Sequence, residues 1–249
     1  MERTFDSKDI GSFLEEAYRA CDTTKELVCH RPDPLAVAKR YNDEKIALAC
    51  ALFAYGNAAQ IVRFLESLDF GLLDAPEENI VRQSSYYRFQ KSHDVAQLFI
   101  TLKRADSLEA HFMQGYEKNR NILDGLATLI AYLRSLNDYR SYGYDFLLGR
   151  VPRQAAGGSP LKRWMMYLRW MVRRDHLDMG LWRQVDKADL IIPLDTHTFH
   201  VSRKLGLLGR KSYDLKAALE LTEALRRFDQ ADPVKYDFAL YRMGQFNQL

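Results

Sequence analysis

Apolar residues recur at helical spacing along most of the chain, and this pattern limits the possible folds more than any other feature. Stripes with the i, i+3, i+4, i+7 spacing of one helix face follow Ser7 (Ile10, Phe13, Leu14, Ala17, Tyr18 and Cys21) and continue over 61–68, 95–102 and 122–133. No Asn-Gly or Asp-Gly pair separates two alternating runs, as it would in a β-hairpin, because Asp124-Gly125 lies inside a helical stripe. We therefore predict an all-α protein of about ten to twelve short helices.

Local signals indicate where several helices begin. Three candidate starts place a proline directly after a capping side chain: Asp33-Pro34, Ser159-Pro160 and Asp232-Pro233. The segment IALACALFAYGN (46–57) is apolar on almost every side, which is typical of a helix buried at the centre of a fold. The helical pattern lapses in VPRQAAGGSP (151–160), where two glycines and two prolines cluster, and this is the nearest feature to a linker.

Composition excludes several classes of protein. The chain has 249 residues, of which 47% are hydrophobic and 28% charged, as is usual for a soluble globular protein of one domain or two closely packed lobes. No apolar run approaches the roughly 18 residues of a membrane span, and the N-terminus does not resemble a signal peptide. Cys21, Cys29 and Cys50 lack metal-binding spacing. We expect a cytoplasmic protein with reduced thiols and no bound metal.

The net charge of +3 indicates no partner, but its distribution is uneven. The segment 151–174 contains no acid and six basic side chains, which are Arg153, Lys162, Arg163, Arg169, Arg173 and Arg174. Such a run is often only a solvated face, although a basic face on a near-neutral protein is also typical of phosphate binding. Both interpretations stay open at this point.

Two side chains are candidates for a role in catalysis. Lys162 falls in the first turn of a predicted helix, where the helix dipole disfavours a cation, so it is either an ordinary surface lysine or one made more nucleophilic. Asp195 follows the apolar run LIIPL at a predicted helix start, where its carboxylate can accept backbone N–H bonds. A carboxylate fixed in this way can also stabilise an oxocarbenium ion on a sugar.

The segment PLDTHTFHVSRKLGLL (193–208) resembles the VDTH-type segment of the helix-hairpin-helix DNA glycosylase superfamily, which includes endonuclease III and the 8-oxoguanine glycosylases. Asp195 matches the catalytic aspartate of that family, and Thr196 and His197 match the next two positions. GGSPLK (157–162) resembles the glycine-rich hairpin whose lysine forms a Schiff base, and it places Lys162 on that lysine. The chain is most similar to a bacterial branch without an assigned activity or an iron–sulfur cluster.

This resemblance implies two helical lobes with a cleft between them, one covering about 43–175 and the other about 1–42 plus 176–249. It implies a base-excision glycosylase, with or without lyase activity, that acts on double-stranded DNA containing a damaged base, with an oxidised purine slightly favoured. Lys162 and Asp195 are the expected catalytic residues. The expected DNA contacts are Arg153, Gly157, Gly158, Ser159, Arg163, Arg169 and His197. Tyr55, Asn57 and Trp164 are candidates for the base pocket or wedge, although core packing explains a tryptophan equally well.

The sequence also departs from the family pattern. Lys162 and Asp195 are 33 residues apart (195 − 162), more than in the family, so Lys187 is a rival for the reactive lysine. The cysteine ligands of the iron–sulfur cluster are missing after Asp195, and we expect no cofactor. The protein is expected to be a monomer associated with the bacterial nucleoid. The main alternative is a non-catalytic DNA-binding protein that retains the fold; a purely structural helical protein leaves the basic run unexplained.

Overall fold

The protein is all-α. The computed structural model describes residues 7–27, 32–82 and 85–246, and in these ranges it contains thirteen α-helices, four short 3-10 helices and no strand. The α-helices are α1 (Ser7–Cys21), α2 (Pro34–Tyr41), α3 (Glu44–Leu52), α4 (Ala58–Glu66), α5 (Glu77–Arg82), α6 (Ser92–Arg104), α7 (Leu108–Tyr116), α8 (Ile122–Ser135), α9 (Tyr142–Leu148), α10 (Lys162–Val172), α11 (Thr196–Lys204), α12 (Leu215–Arg226) and α13 (Asp237–Gln245). The 3-10 helices are Thr24–Leu27, Phe70–Leu73, Lys187–Asp189 and Pro233–Tyr236. The fold class predicted from helical periodicity is therefore confirmed.

The chain forms two compact units. The middle unit is residues 27–151, and the terminal unit combines the N-terminal helix with the residues from 152 onward. These boundaries differ from the predicted lobe boundaries near 42 and 175, because α10 belongs with the C-terminal helices instead of with the segment before it. Cys29 lies outside the described residues.

The centre of the middle unit is α3, as its uniformly apolar sequence predicts. Every residue from 46 to 54 is buried. Asp43 caps the helix, since its carboxylate accepts from the backbone N–H groups of Lys45 and Ile46 at 2.8 and 2.9 Å. After the helix, the Phe53 ring packs edge-on against Phe64 of α4, with the ring centroids 4.9 Å apart. Burial on all sides stabilises this short helix although its own length is marginal.

The terminal unit is held by a buried network of charged side chains. Arg169 of α10 bonds to Asp178 at 3.1 Å and to Asp237 of α13. Arg173 bonds to Asp178 at 2.6 Å and to Asp232 at 2.9 Å. All five side chains are buried. Because an unpaired buried charge costs several kcal/mol, these pairs hold α10 against the C-terminal helices, which explains why α10 belongs to this unit.

The three predicted starts with proline have different outcomes. Asp33-Pro34 is confirmed, since Asp33 accepts from the Leu35 N–H at 2.9 Å. Asp232-Pro233 begins a 3-10 helix in which Asp232 makes no side-chain cap. The start at Ser159-Pro160 is wrong, because α10 begins at Lys162 behind Leu161, whose backbone is left-handed with φ 54°. Ser159 instead accepts from the Leu161 N–H at 3.3 Å in a local turn.

Among the described residues, none of the helices combines the length and the apolar character that crossing a membrane requires.

Candidate functional site

Asp195 is the N-cap of α11, as its position after the run LIIPL predicts. Its backbone is extended, and Oδ1 accepts from the Thr198 N–H at 2.8 Å. The side chain is almost buried, with the whole residue 8% exposed. The cap therefore uses one carboxylate oxygen and fixes the direction of the other.

Lys162 is the first residue of α10, and its Nζ lies 3.6 Å from Oδ2 of Asp195. The two oxygens of Asp195 thus have separate partners, the helix amide at Oδ1 and the lysine at Oδ2. The Lys162 side chain is 32% exposed, whereas that of Asp195 is 11% exposed. The pair therefore offers an amine that solvent can reach beside a carboxylate held in a fixed orientation.

The backbone before Lys162 is strained. Leu161 is buried and adopts left-handed φ and ψ of 54° and 32°, a conformation that costs about 1–2 kcal/mol for a residue with a side chain. This conformation ends the preceding loop and starts α10 at the lysine. Such strain is maintained only where the surrounding packing holds it, and it occurs often at functional sites.

A second carboxylate interacts electrostatically with the pair. Asp237, the first residue of α13, is 5% exposed and accepts a hydrogen bond from Arg169. Burial raises the pKa of Asp237 to about 6, and the negative charge of Asp195 also raises it. The positive charges of Arg169 and Lys162 lower it. Lys162, Asp195, Asp237 and Arg169 therefore form one electrostatic cluster with two positive and two negative charges.

Tyr213 borders the pair, and sequence reasoning missed it. Its hydroxyl donates to the carbonyl of Leu194 at 2.8 Å, and its ring packs edge-on against Phe199 with the centroids 5.6 Å apart. Burial of the hydroxyl raises the pKa of Tyr213, and the nearby charge of Asp195 adds to the effect. The residue as a whole is still 41% exposed. No motif in the sequence marks a tyrosine 18 residues after the aspartate (213 − 195).

The glycine-rich segment is bonded to its own chain. The Gly157 N–H donates to Asp214 at 2.7 Å, and the Gly158 N–H donates to the carbonyl of Ala155 at 3.3 Å. The Gly158 carbonyl in turn accepts from the Leu215 N–H at 2.9 Å. These bonds attach the segment to the start of α12. Gly157 and Gly158, both predicted DNA contacts, therefore already donate their amides within the chain.

The remaining predicted DNA contacts divide by exposure. Arg169 is 4% exposed and paired with two aspartates, so the expectation that it contacts a phosphate is wrong. Arg153, Ser159 and His197 are exposed, and Arg163 is half-buried. The basic run 151–174 is therefore partly a core segment, because its charges are neutralised by acids that lie later in the chain.

The rival lysine has a different partner. Lys187 lies in the 3-10 helix Lys187–Asp189, and its Nζ is 3.5 Å from Asp232. Its side chain is 49% exposed. Of the two candidate lysines, Lys162 is the one for which the structure gives an ion pair with Asp195.

The predicted base-pocket residues belong to different units and differ in exposure. Trp164 of α10 is 2% exposed, which agrees with the alternative of core packing. Tyr55 and Asn57 belong to the middle unit. The Tyr55 ring packs 4.9 Å from Phe146, and exposed Asn57 caps α4 by accepting from the Ala59 N–H at 3.0 Å. Of the three residues, Asn57 presents the most accessible side chain.

Within the described ranges, no group of three or more histidine, cysteine, aspartate or glutamate side chains is arranged to hold a metal ion. The residues His197 and His200, spaced i, i+3 on α11, are both exposed.

The fold and the site define an all-α protein with a lysine–aspartate pair at adjacent helix N-termini of its terminal unit. Residues 33–246 match a family model described as "Protein of unknown function (DUF2400)". The chain belongs to this family, since the match covers most of its length. No curated protein and no solved structure matches the chain.

Proposed function

We propose that the protein is a DNA glycosylase that excises a damaged base and uses Lys162 and Asp195 for the chemistry. The observation that carries the proposal is the 3.6 Å separation of Lys162 Nζ and Asp195 Oδ2, although the residues are 33 positions apart in the chain. An amine nucleophile beside an oriented carboxylate is the pair that displacement at a sugar carbon requires. The resemblance of residues 193–208 to the glycosylase segment supports the same function.

In the proposed reaction, the Lys162 amine lone pair forms a bond to C1′ of the damaged nucleotide, and the bond from C1′ to the base breaks. The bonding electrons leave with the base, which takes up a proton. Asp195 stabilises the positive charge that develops on the sugar and accepts the proton that the attacking amine loses. The C1′–O4′ bond then breaks, O4′ takes up this proton, and the Schiff base that forms between Lys162 and C1′ is the species that borohydride reduces. In a monofunctional variant of this mechanism, water attacks C1′ and Asp195 has the same role.

Exposed basic residues of α11 support binding of the DNA backbone. His197, His200, Arg203 and Lys204 are exposed along this helix, and Arg153 is exposed on the loop before α10. These five residues replace the buried Arg169 in the proposed phosphate contacts. Contacts of this kind attach the protein to DNA without reading the sequence, so binding should weaken strongly with salt.

Tyr213 supports binding of the base. Its hydroxyl bonds to the carbonyl of Leu194, the residue before Asp195, and the residue is partly exposed, whereas Trp164 is buried. A partly exposed aromatic ring can stack on an extruded base, and such stacking stabilises complexes by about 1–3 kcal/mol. The preferred lesion in this proposal is an oxidised purine.

A specific observation favours a second function, a DNA-binding protein without catalysis. Gly157 and Gly158 donate their amides to groups of their own chain, so the hairpin lacks the backbone donors that would hold a phosphate close to the reacting sugar. This alternative retains the exposed basic residues of α11 and assigns no chemistry to Lys162.

One experiment distinguishes the two functions. The protein is incubated with duplex oligonucleotides that each contain one oxidised purine, oxidised pyrimidine or alkylated base, and base release and borohydride trapping are measured. The glycosylase proposal expects release from at least one duplex, and loss of release in Lys162→Gln but not in the matched control Lys187→Gln. Binding to all duplexes without release or trapping would support the DNA-binding alternative and contradict the enzyme.

A further inference from the structure

Asp237 is linked to the Lys162–Asp195 pair by helix geometry. Lys162 and Arg169 are seven residues apart on α10, which is about two helical turns, so both project from the same side of the helix. Lys162 pairs with Asp195 at the start of α11, and Arg169 pairs with Asp237 at the start of α13. One face of α10 therefore bonds to the first turns of two other helices.

The two helices that carry the carboxylates also pack closely on each other. A Cβ atom placed on Gly244 of α13 would lie 2.7 Å from Cβ of His197 on α11, so only glycine permits this approach. The His197 ring meets the Tyr241 ring edge-on, with the centroids 5.8 Å apart. Ion pairs from α10 therefore reach two helices that are themselves in direct contact.

We propose that Asp237 is a positioning residue for Lys162 and Asp195: through Arg169 it holds α10 in place, and its charge controls the reactivity of the Lys162 amine. Asp237 is 5% exposed and does not touch a substrate in this proposal. The inference concerns the chemistry of the amine, and it holds whether or not the substrate is DNA.

The direction of the effect follows from the charges around Asp237. Arg169 and Lys162 face it from α10, Asp195 faces it from the start of α11, and Asp178 shares Arg169 with it. The negative charge of Asp237 and the positive charge of Lys162 stabilise each other. When Asp237 takes up a proton, its attraction for the Lys162 ammonium group is lost, and the Lys162 amine should react faster. Burial, which raises the pKa of Asp237 to about 6, places this transition in a testable range.

The test is pulse acetylation of the intact protein with an N-hydroxysuccinimide ester, followed by peptide mass spectrometry. The ratio of Lys162 to Lys187 labelling is measured from pH 5 to pH 8, and Lys187 is the internal reference because it pairs with Asp232. In the wild type the ratio should rise about threefold as the pH falls through 6, the effect expected of one partly screened unit charge. In Asp237→Asn the ratio should be high at every pH.

Two further variants separate positioning from simple structural support. Asp237→Glu keeps the carboxylate and should retain the pH dependence of the ratio. Asp232→Asn breaks the other buried arginine pair, that of Arg173, and also removes the partner of Lys187, so Lys162 labelling in this variant and in a parallel wild-type sample is referred to exposed Lys118 of the middle unit; this profile should be the same in both. A wild-type ratio that stays constant from pH 5 to pH 8 overturns the proposal, even if Asp237→Asn does not fold. An Asp232→Asn profile that matches Asp237→Asn overturns it as well, because loosening of the core then explains the effect.

Discussion

Replacement of Asp195 by asparagine and by alanine separates its role as a helix cap from its proposed chemical role. Asparagine keeps an oxygen that can accept from the Thr198 N–H, a bond of 2.8 Å, and loses the negative charge at the helix N-terminus. The charge–dipole interaction is worth about 0.3–1 kcal/mol, so Asp195→Asn should lower the free energy of unfolding by about 0.5 kcal/mol. Alanine removes the acceptor altogether.

The alanine variant should be clearly less stable. Thr198 is fully buried, and its N–H would lose the Asp195 acceptor, which costs about 1–3 kcal/mol for a buried donor. Removal of an N-cap side chain typically lowers the free energy of unfolding by about 1 kcal/mol. We expect Asp195→Ala to lose about 2 kcal/mol, which for a chain of this size lowers the Tm by about 4–8 °C. Asp195→Asn should change the Tm by about 1–2 °C.

Activity should respond differently from stability. If the charge stabilises the developing cation on the sugar, Asp195→Asn and Asp195→Ala should both reduce the rate of base release by about 10²–10³-fold. The rates are measured at a temperature well below the Tm of both variants. The assay is single-turnover base release from the best lesion duplex, with thermal unfolding of the same preparations as the control. An asparagine variant with wild-type activity would refute the reasoning and leave Asp195 as a cap alone.

Three other variants test individual contacts. Gly125→Ala should lose about 1–2 kcal/mol of stability in thermal unfolding, because its Cβ would lie 2.7 Å from the Phe112 ring; unchanged stability would contradict this packing. The pKa of Asp214 lies below its usual range, chiefly because of its hydrogen bond with Arg210. The Asp214 carboxylate therefore adds to the free energy of unfolding at neutral pH, and this stabilisation disappears as the pH falls. Asp214→Asn should therefore lose about 1 kcal/mol at pH 7, and its deficit should narrow below about pH 4. Tyr213→Ala should bind lesion DNA about tenfold more weakly in a fluorescence anisotropy titration, while equal affinity would exclude stacking.

Helical content could be predicted from the sequence because it depends on local patterns. The stripe over 122–133 lies in α8, and the uniformly apolar segment 46–57 includes most of the buried helix α3, which spans Glu44–Leu52. The cap at Asp195 was equally predictable, since an acid between an apolar run and an amphipathic segment has few other local roles. These features depend on residues within a few positions of each other.

The partners of charged residues could not be predicted in the same way. Arg169 and Arg173 belong to an acid-free run, so the sequence indicated a basic surface. Their partners Asp178, Asp232 and Asp237 lie five to 68 residues further along the chain. Only the packing of α10 against the C-terminal helices brings these charges together. Because of the same packing, the boundary between the two units lies after residue 151, whereas the sequence-based expectation was near 175.

The start of α10 shows a limit of local signals. Ser159-Pro160 is a strong capping pattern, but the left-handed backbone at Leu161 delays the helix to Lys162. This backbone conformation is fixed by tertiary structure, because Leu161 is buried and the preceding glycines bond to Asp214 and Ala155. Lys162 was therefore correctly placed in the first turn of α10, although the residue preceding the helix was not the predicted one.

The most direct test of the Lys162–Asp195 assignment is the identity of the lysine that becomes attached to DNA. Borohydride is added to the protein with its best lesion duplex, the adduct is digested, and the modified peptide is sequenced by mass spectrometry. We expect the adduct on Lys162, whose amine lies 3.6 Å from Asp195, and no adduct in Lys162→Gln. An adduct on Lys187, or trapping that persists in Lys162→Gln, would contradict the assignment of the site.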